Sequence, residues 1–60
     1  MNALIEVGDI VRGRHNPEWG DGQVQSIIDG KVTVTFEHAG KLVLTGGAAD
    51  NLIRIEADWR

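Results

Sequence analysis

The sequence has no cysteine, and proline occurs only once in its 60 residues. Without cysteine, neither a disulfide framework nor a thiolate metal site can stabilise the fold. No apolar run approaches the roughly 18 residues that a membrane-spanning helix needs. The N-terminus also lacks the basic segment and the apolar stretch of a secretory signal. These absences predict a soluble, non-secreted chain in the reducing cytoplasm.

Positive charge is also scarce, because six Lys and Arg stand against nine Asp and Glu, for a net charge of -3. A protein that binds nucleic acid without regard to sequence usually has a basic surplus, since neutralised phosphates supply most of its affinity. The composition therefore counts against this class of function, although a local basic patch remains compatible with it.

A chain of this length forms one domain and buries only about 60% of the surface that its unfolded form exposes. The hydrophobic share of 42% is that of a folded protein rather than a disordered one. We expect a single domain over residues 1–60, with loose termini at residues 1–6 and 57–60.

The clearest structural signal is the segment from Lys31 to Lys41, in which apolar and polar residues alternate from Val32 to Phe36. A period of two predicts a half-buried β-strand. Asp29-Gly30 precedes this strand as a two-residue hairpin turn, and Gly40 follows it where a tight turn needs a positive φ. The segment is interpreted as the central strand of an antiparallel meander.

Four further strands are predicted on the same grounds, at residues 7–12, 23–28, 41–45 and 52–56. The first loop, residues 13–22, holds three glycines and the proline, and the second, residues 46–51, has room for one helical turn. The adjacent Ile27 and Ile28 break the alternation, which indicates a bulge or a doubly buried strand end.

Five short strands predict an all-β fold, a small five-stranded SH3-like (Tudor-like) antiparallel barrel. Closure of the sheet is favoured because a flat sheet of this size would leave an apolar face wet and its edges open. Trp19 is expected to cover one end of the barrel, with contact to a partner as the alternative. The predicted core consists of Val11, Val24, Val32, Val34, Phe36, Leu42, Leu44, Leu52 and Ile55.

A spaced pattern extends over most of the chain: Gly8-Asp9-x-Val11, His15-x-Pro17-x-Trp19-Gly20-x-Gly22-x-Val24, Val32-x-Val34-x-Phe36 and Gly40-Lys41. It resembles the Tudor-like domain at the C-terminus of UvrD-type repair helicases, whose hallmark is a His-Pro-x-aromatic-Gly-x-Gly-x-Val loop. Asn16 is an extra residue between His15 and Pro17 and alters that loop. The pattern is still more similar to a family of short, free-standing bacterial domains of unknown function.

The resemblance implies a protein-interaction module, because the related helicase domain docks on RNA polymerase. Here such a module would be detached from any motor. On that basis we expect a partner in transcription or DNA repair, RNA polymerase or another component, and a chain that is itself a monomer.

No constellation in the sequence indicates an enzyme, a cofactor or a metal. His15 and His38 have no cysteine and no carboxylate at a metal-binding spacing. Ser26 lies within a strand with no base placed beside it, and Gly46-Gly47 lacks the Lys-Ser/Thr of a phosphate loop. With three aromatic residues and no Tyr, an aromatic cage for methyl-lysine is hard to assemble.

Candidate partner-binding residues are the polar and aromatic positions of the first loop and of the turn after the third strand. They are Arg12, Arg14, His15, Pro17, Trp19, His38 and Lys41. Weak nucleic-acid binding by the loop of residues 12–22 is the alternative, because its cations lie near a Trp that can stack on a base. Interleaved acidic residues oppose this alternative. A third hypothesis is homo-association through an unpaired strand edge.

Overall fold

The computed structural model describes residues 5–55, which form one antiparallel sheet with little helix. The order of the five strands is β4-β3-β2-β1-β5, so β4 and β5 are the two edges. An all-β, barrel-like fold is therefore confirmed. The elements are β1 (Ile10–Gly13), a 3-10 turn (Pro17–Trp19), β2 (Asp21–Ile28), β3 (Lys31–Phe36), β4 (Gly40–Thr45), α1 (Gly46–Asp50) and β5 (Leu52–Arg54).

Strand β3 is the middle of a β2-β3-β4 meander, as its alternation predicted. A two-residue turn joins β2 to β3, with φ of 51° at Asp29 and 77° at Gly30. A type I′ turn, whose backbone twist matches that of the flanking strands, requires a positive φ at both central residues. Residues 37–39 join β3 to β4, and Gly40, with φ of 79°, is the first residue of β4 rather than part of the connection.

The predicted irregularity of β2 is a β-bulge, and it lies at Gln25. Val24 pairs with Val34 and Ser26 pairs with Thr33, so Gln25 has no opposite residue. The alternative of a doubly buried strand end is wrong, because Ile27 is 40% exposed and Ile28 is 63% exposed. Ile27 lies opposite the buried Val32 and Ile28 lies opposite Lys31 at the end of the hairpin, and both isoleucine side chains are exposed.

The core lies on one face of the sheet and is closed at one end by α1. Its buried members are Val11, Val24, Val32, Val34, Phe36, Leu44, Ala49 and Leu52. Leu42 and Ile55 were predicted as core residues but are only half-buried. Leu42 lies on an edge strand with a neighbour on one side only, and Ile55 follows the end of β5. Ala49 was not predicted, because its burial depends on how α1 folds back.

Two strand boundaries differ from the prediction. Residues 7 and 8 form a turn, with φ of 96° at Gly8, so β1 begins at Ile10 instead of Val7. Strand β2 begins two residues earlier than expected, because Asp21 and Gly22 pair with Arg12 and Val11 of β1. The predicted β5 reached residue 56, whereas the observed strand ends at Arg54.

Of the termini predicted to be loose, residues 1–4 and 57–60, with the second Trp, lie outside the described residues, as does residue 56 of the predicted fifth strand. Within the described part, Ile5 packs against the core. The Glu6 backbone N–H donates a hydrogen bond of 2.8 Å to the Asp9 carboxylate. No helix within residues 5–55 has the length and the apolar character to cross a membrane.

Candidate functional site

The loop between β1 and β2 is folded into a series of overlapping turns. The N–H of Asn16 donates to the carbonyl of Gly13 (3.2 Å), that of Trp19 to Asn16 (3.1 Å) and that of Gly20 to Pro17 (3.2 Å). Pro17 begins the 3-10 turn, where its fixed φ fits and no N–H is needed. These hydrogen bonds all join residues close in sequence, so the turns of the loop are defined by its own local sequence.

Trp19 anchors this loop to the core. Its ring lies 5.0 Å from that of Phe36, at an interplanar angle of 53°. The indole also covers Gly13, where an added Cβ would lie 3.0 Å from Trp19 Cε3. The tilted pair is a favourable aromatic geometry. The half-buried Trp19 packs against the core cluster.

A second attachment joins the loop to the turn after β3. The His38 N–H donates to the Trp19 carbonyl, and the Glu37 N–H donates to the Asp21 carbonyl, each at 2.9 Å. Gly20 has φ of 79°, and a Cβ there would lie 2.6 Å from His38 Cδ2. A residue with a side chain would therefore be strained at Gly20 and would displace His38.

A third attachment is made at the loop's first residue. The backbone N–H of Arg14 donates to the carbonyl of Asn51, just after α1, at 2.7 Å. The loop is consequently fixed to β3 and to the α1–β5 junction as well as to its own strands. The exposed side chains that it presents are Arg14, His15, Pro17 and Glu18.

The predicted partner-binding residues divide into two groups. We define the loop patch as Arg14, His15, Pro17, Trp19 and His38, which lie on the loop and on the turn bonded to it. The remaining two residues lie on the outer face of the sheet. Arg12 Nε and Nη2 are each 3.3 Å from Asp21 Oδ1, and Lys41 lies opposite Thr35.

The sequence did not reveal an open groove of about 290 Å³ on the outer face. It is lined by Ile10, Asp21, Gly22, Gln23, Thr35 and Glu37. Only the pairing register brings these positions together, since they come from three strands and a turn that are distant in sequence. The groove could have been predicted only from the strand pairing, in which Ile10 lies opposite Gln23 and Gln23 lies opposite Thr35.

The described part of the chain shows no candidate metal-binding site. Among residues 5–55, no group of three or more His, Asp or Glu side chains is placed to hold a metal ion. The two histidines belong to different segments of the loop patch, one in the first loop and one in the β3–β4 turn.

Comparison with known proteins places the chain in a family. The model of DUF3553, described as a protein of unknown function, matches residues 5–53, and the chain belongs to that family. The match covers every strand but the last residue of β5, and it includes the whole loop patch. No curated protein and no solved structure matches the chain.

Proposed function

We propose that this member of the DUF3553 family is a non-catalytic protein-interaction module that uses the loop patch to contact its partner. The observation that carries the proposal is the contact of the Trp19 ring with both Gly13 and Phe36. It fixes the loop in one conformation while its tip is left exposed. Binding residues are often found on loops held by a rigid scaffold, because less conformational entropy is lost on binding.

The charges of the loop patch favour a protein surface over nucleic acid. Arg14 and His15 are exposed, and their side chains make no hydrogen bond or ion pair within residues 5–55. Glu18 lies on the same loop, where the Asn16 amide donates to its carboxylate at 3.4 Å. A surface with both signs of charge suits a protein partner, whereas a phosphate backbone would be repelled by the carboxylate.

The partner class rests on the resemblance of the His15-to-Val24 segment to the loop of the UvrD-type Tudor-like domain. That helicase domain docks on RNA polymerase, which supports a partner in transcription or DNA repair, and RNA polymerase first. Asn16 closes the first turn of the loop through its N–H. The residue that departs from the helicase pattern therefore shapes the proposed contact surface.

The proposal predicts that Arg14→Glu weakens binding to purified bacterial RNA polymerase roughly tenfold, equivalent to about 1.4 kcal/mol. Lys31→Glu is the matched control, since it makes the same change of charge at an exposed position in the β2–β3 hairpin. Both variants are expected to fold normally, because neither side chain is buried. The measurement is equilibrium binding of the immobilised domain to the polymerase.

Equal binding by the wild type and both variants would reject the loop patch as the contact surface. No binding by the wild-type domain would reject polymerase as the partner. An unbiased capture of partners from a bacterial lysate, with Arg14→Glu as the comparison, would then identify which protein depends on this loop.

Nucleic-acid binding is the second candidate, and it is favoured by the Arg14 and His15 side chains, which are unpaired within residues 5–55. Two of the features predicted to support it are already engaged elsewhere. Arg12 is bonded to Asp21 on the other face, and the Trp19 ring packs on Phe36 instead of lying open to stack on a base. Nucleic-acid binding would therefore depend on one arginine and one histidine, which is a small electrostatic contribution.

We expect no change in the amide spectrum when single- or double-stranded oligonucleotides are added at low salt, even at millimolar concentration. Low salt is the most sensitive condition, because phosphate contacts weaken steeply as salt rises. Saturable shifts at Arg14 and His15 that disappear with added salt would instead establish the nucleic-acid function.

A further inference from the structure

The two edges of the sheet differ in how open they are to further pairing. Strand β5 has three residues, and such short edge strands offer little to pair with. Strand β4 has six, and within residues 5–55 it pairs with β3 alone. It contains no proline and one charged residue, Lys41. Most devices that protect an edge from pairing are absent from β4.

The direction of the free backbone groups on β4 follows from the pairing of β3. The Glu37 N–H points to β2, where it meets the Asp21 carbonyl. Backbone groups alternate along a strand, so Val32 and Val34 point the other way, towards β4. Their opposite residues, Leu44 and Leu42, return those hydrogen bonds. It follows that Lys41 and Val43 direct their N–H and C=O groups outward from the sheet. Thr45 directs its N–H outward, but it is the N-cap of α1, so its C=O accepts the first hydrogen bond of that helix.

This set of free groups is complementary to itself. In an antiparallel pair centred on Val43, that residue faces its own copy and Lys41 faces Thr45. The two Val43 residues then exchange both N–H···O=C bonds, and each Thr45 N–H meets the Lys41 C=O of the other copy. No like charges are opposed, since the single cation faces a hydroxyl. Val43, whose side chain is 58% exposed, gains an apolar neighbour of matching shape.

We propose that β4 pairs with β4 of a second copy of this chain, antiparallel and with a two-fold axis at Val43. The two sheets would then continue into one across the axis. The proposal replaces the monomer expected from the sequence and is independent of the loop patch. A strand edge alone is smaller than the standard interface of about 1,200–2,000 Å², so the dimer dissociates on dilution.

Sedimentation equilibrium from micromolar to millimolar protein tests the proposal. The wild type is expected to shift from monomer to dimer over this range, and Val43→Lys is expected to remain monomeric because two lysines would oppose each other at the axis. Ile28→Lys is the matched control, since Ile28 is 63% exposed but belongs to β2, away from the edge. This control should dimerise like the wild type.

Cysteine substitution tests the register, because the chain has no cysteine of its own. A hydrogen-bonded antiparallel pair has a Cα separation of about 5.5 Å, within the range of about 4.4–6.8 Å that a disulfide spans. Val43→Cys should therefore be oxidised to a covalent dimer. Lys41→Cys and Thr45→Cys are the controls, since their own copies lie four residues apart, about 13 Å at the rise of a strand.

Three results would overturn the proposal: a wild type that remains a monomer at every concentration, a Val43→Lys variant that associates like the wild type, or equal cross-linking of all three cysteine variants. Circular dichroism of each variant establishes that it is folded. If Val43→Lys fails this check, it is replaced by Val43→Thr. This β-branched substitution removes one apolar contact and should weaken the dimer without preventing it.

Discussion

At the scale of single residues, two glycines explain why the loop motif has its spacing. Gly20 allows the close approach of His38, and Gly22 allows the core to close beneath the loop. A Cβ at Gly22 would lie 2.6 Å from both Val34 Cγ1 and Phe36 Cδ1, and both of those residues are buried. The aromatic ring that supports Trp19 thus depends on the absence of a side chain on the neighbouring strand.

Gly22→Ala is expected to lower the free energy of unfolding by about 1–3 kcal/mol, the usual cost of overpacking a core. The sign is informative, because removing a glycine from a strand without a clash would stabilise it by roughly 0.5–1 kcal/mol. Urea unfolding gives the value. Gly47→Ala is the control, since no atom lies within 4 Å of the added Cβ and the residue belongs to α1. It should leave stability unchanged or raise it slightly.

A stability of Gly22→Ala equal to or above that of the wild type would contradict the packing described for Phe36. The tilted contact with Trp19 would then need another explanation. The same measurement on the control excludes a general effect of replacing glycine.

At the scale of elements, the alternation of residues predicted β3 and its neighbours because a half-buried strand imposes a period of two. The bulge at Gln25 was harder to place. The adjacent Ile27 and Ile28 signalled an irregularity, but the pairing skips a residue two positions earlier. The presence of a bulge is easier to predict from the sequence than its position, because only the pairing with the partner strand defines which residue is left unpaired.

The β2–β3 hairpin depends on its turn more than on its side-chain contacts. Gly30→Ala forces an L-residue to adopt φ near 77°, which costs about 1–2 kcal/mol for residues other than glycine. No atom lies within 4 Å of the added Cβ, so the cost is conformational alone. Urea unfolding should show a loss of this size. An unchanged midpoint would mean that the turn relaxes to another type.

The candidate site was only partly predictable, for a reason that belongs to this scale. The loop residues Arg14, His15, Pro17 and Trp19 are continuous in sequence, so a glycine-framed loop was sufficient to group them. His38 joins them through a hydrogen bond from its backbone, which no side-chain pattern records. Arg12 was grouped with the loop but points to the opposite face, because its position in β1 sets the side of the sheet.

At the scale of the whole molecule, the loop patch and the edge of β4 are two surfaces with different properties. The loop patch lies on a loop that is held by Trp19 and by hydrogen bonds to two other parts of the chain, the turn after β3 and Asn51. The edge of β4, which is unpaired within residues 5–55, is a backbone surface with one cation. Arg12 of β1 pairs with Asp21 of β2 on the surface, and Arg54 of β5 pairs with the partly buried Asp9 just before β1. The exposed Arg12–Asp21 pair contributes little to stability.

Taken together, the two proposals give one chain that binds a partner through the loop patch and its own copy through β4. The binding of a partner through the loop would then be bivalent in the dimer. Linking two sites in this way raises the apparent affinity for any partner that offers two contact surfaces. A dilute monomer would bind with the affinity of the loop patch alone.

The central claim is that the loop patch is the contact surface, and chemical-shift mapping tests it most directly. An isotope-labelled domain is titrated with RNA polymerase, and the signal of each backbone amide is followed. We predict selective loss of signal at residues 14–20 and at His38, with Lys31 and the rest of the β2–β3 hairpin unaffected. Signal intensities that stay unchanged or fall equally at all residues, or losses confined to β4, would contradict the claim.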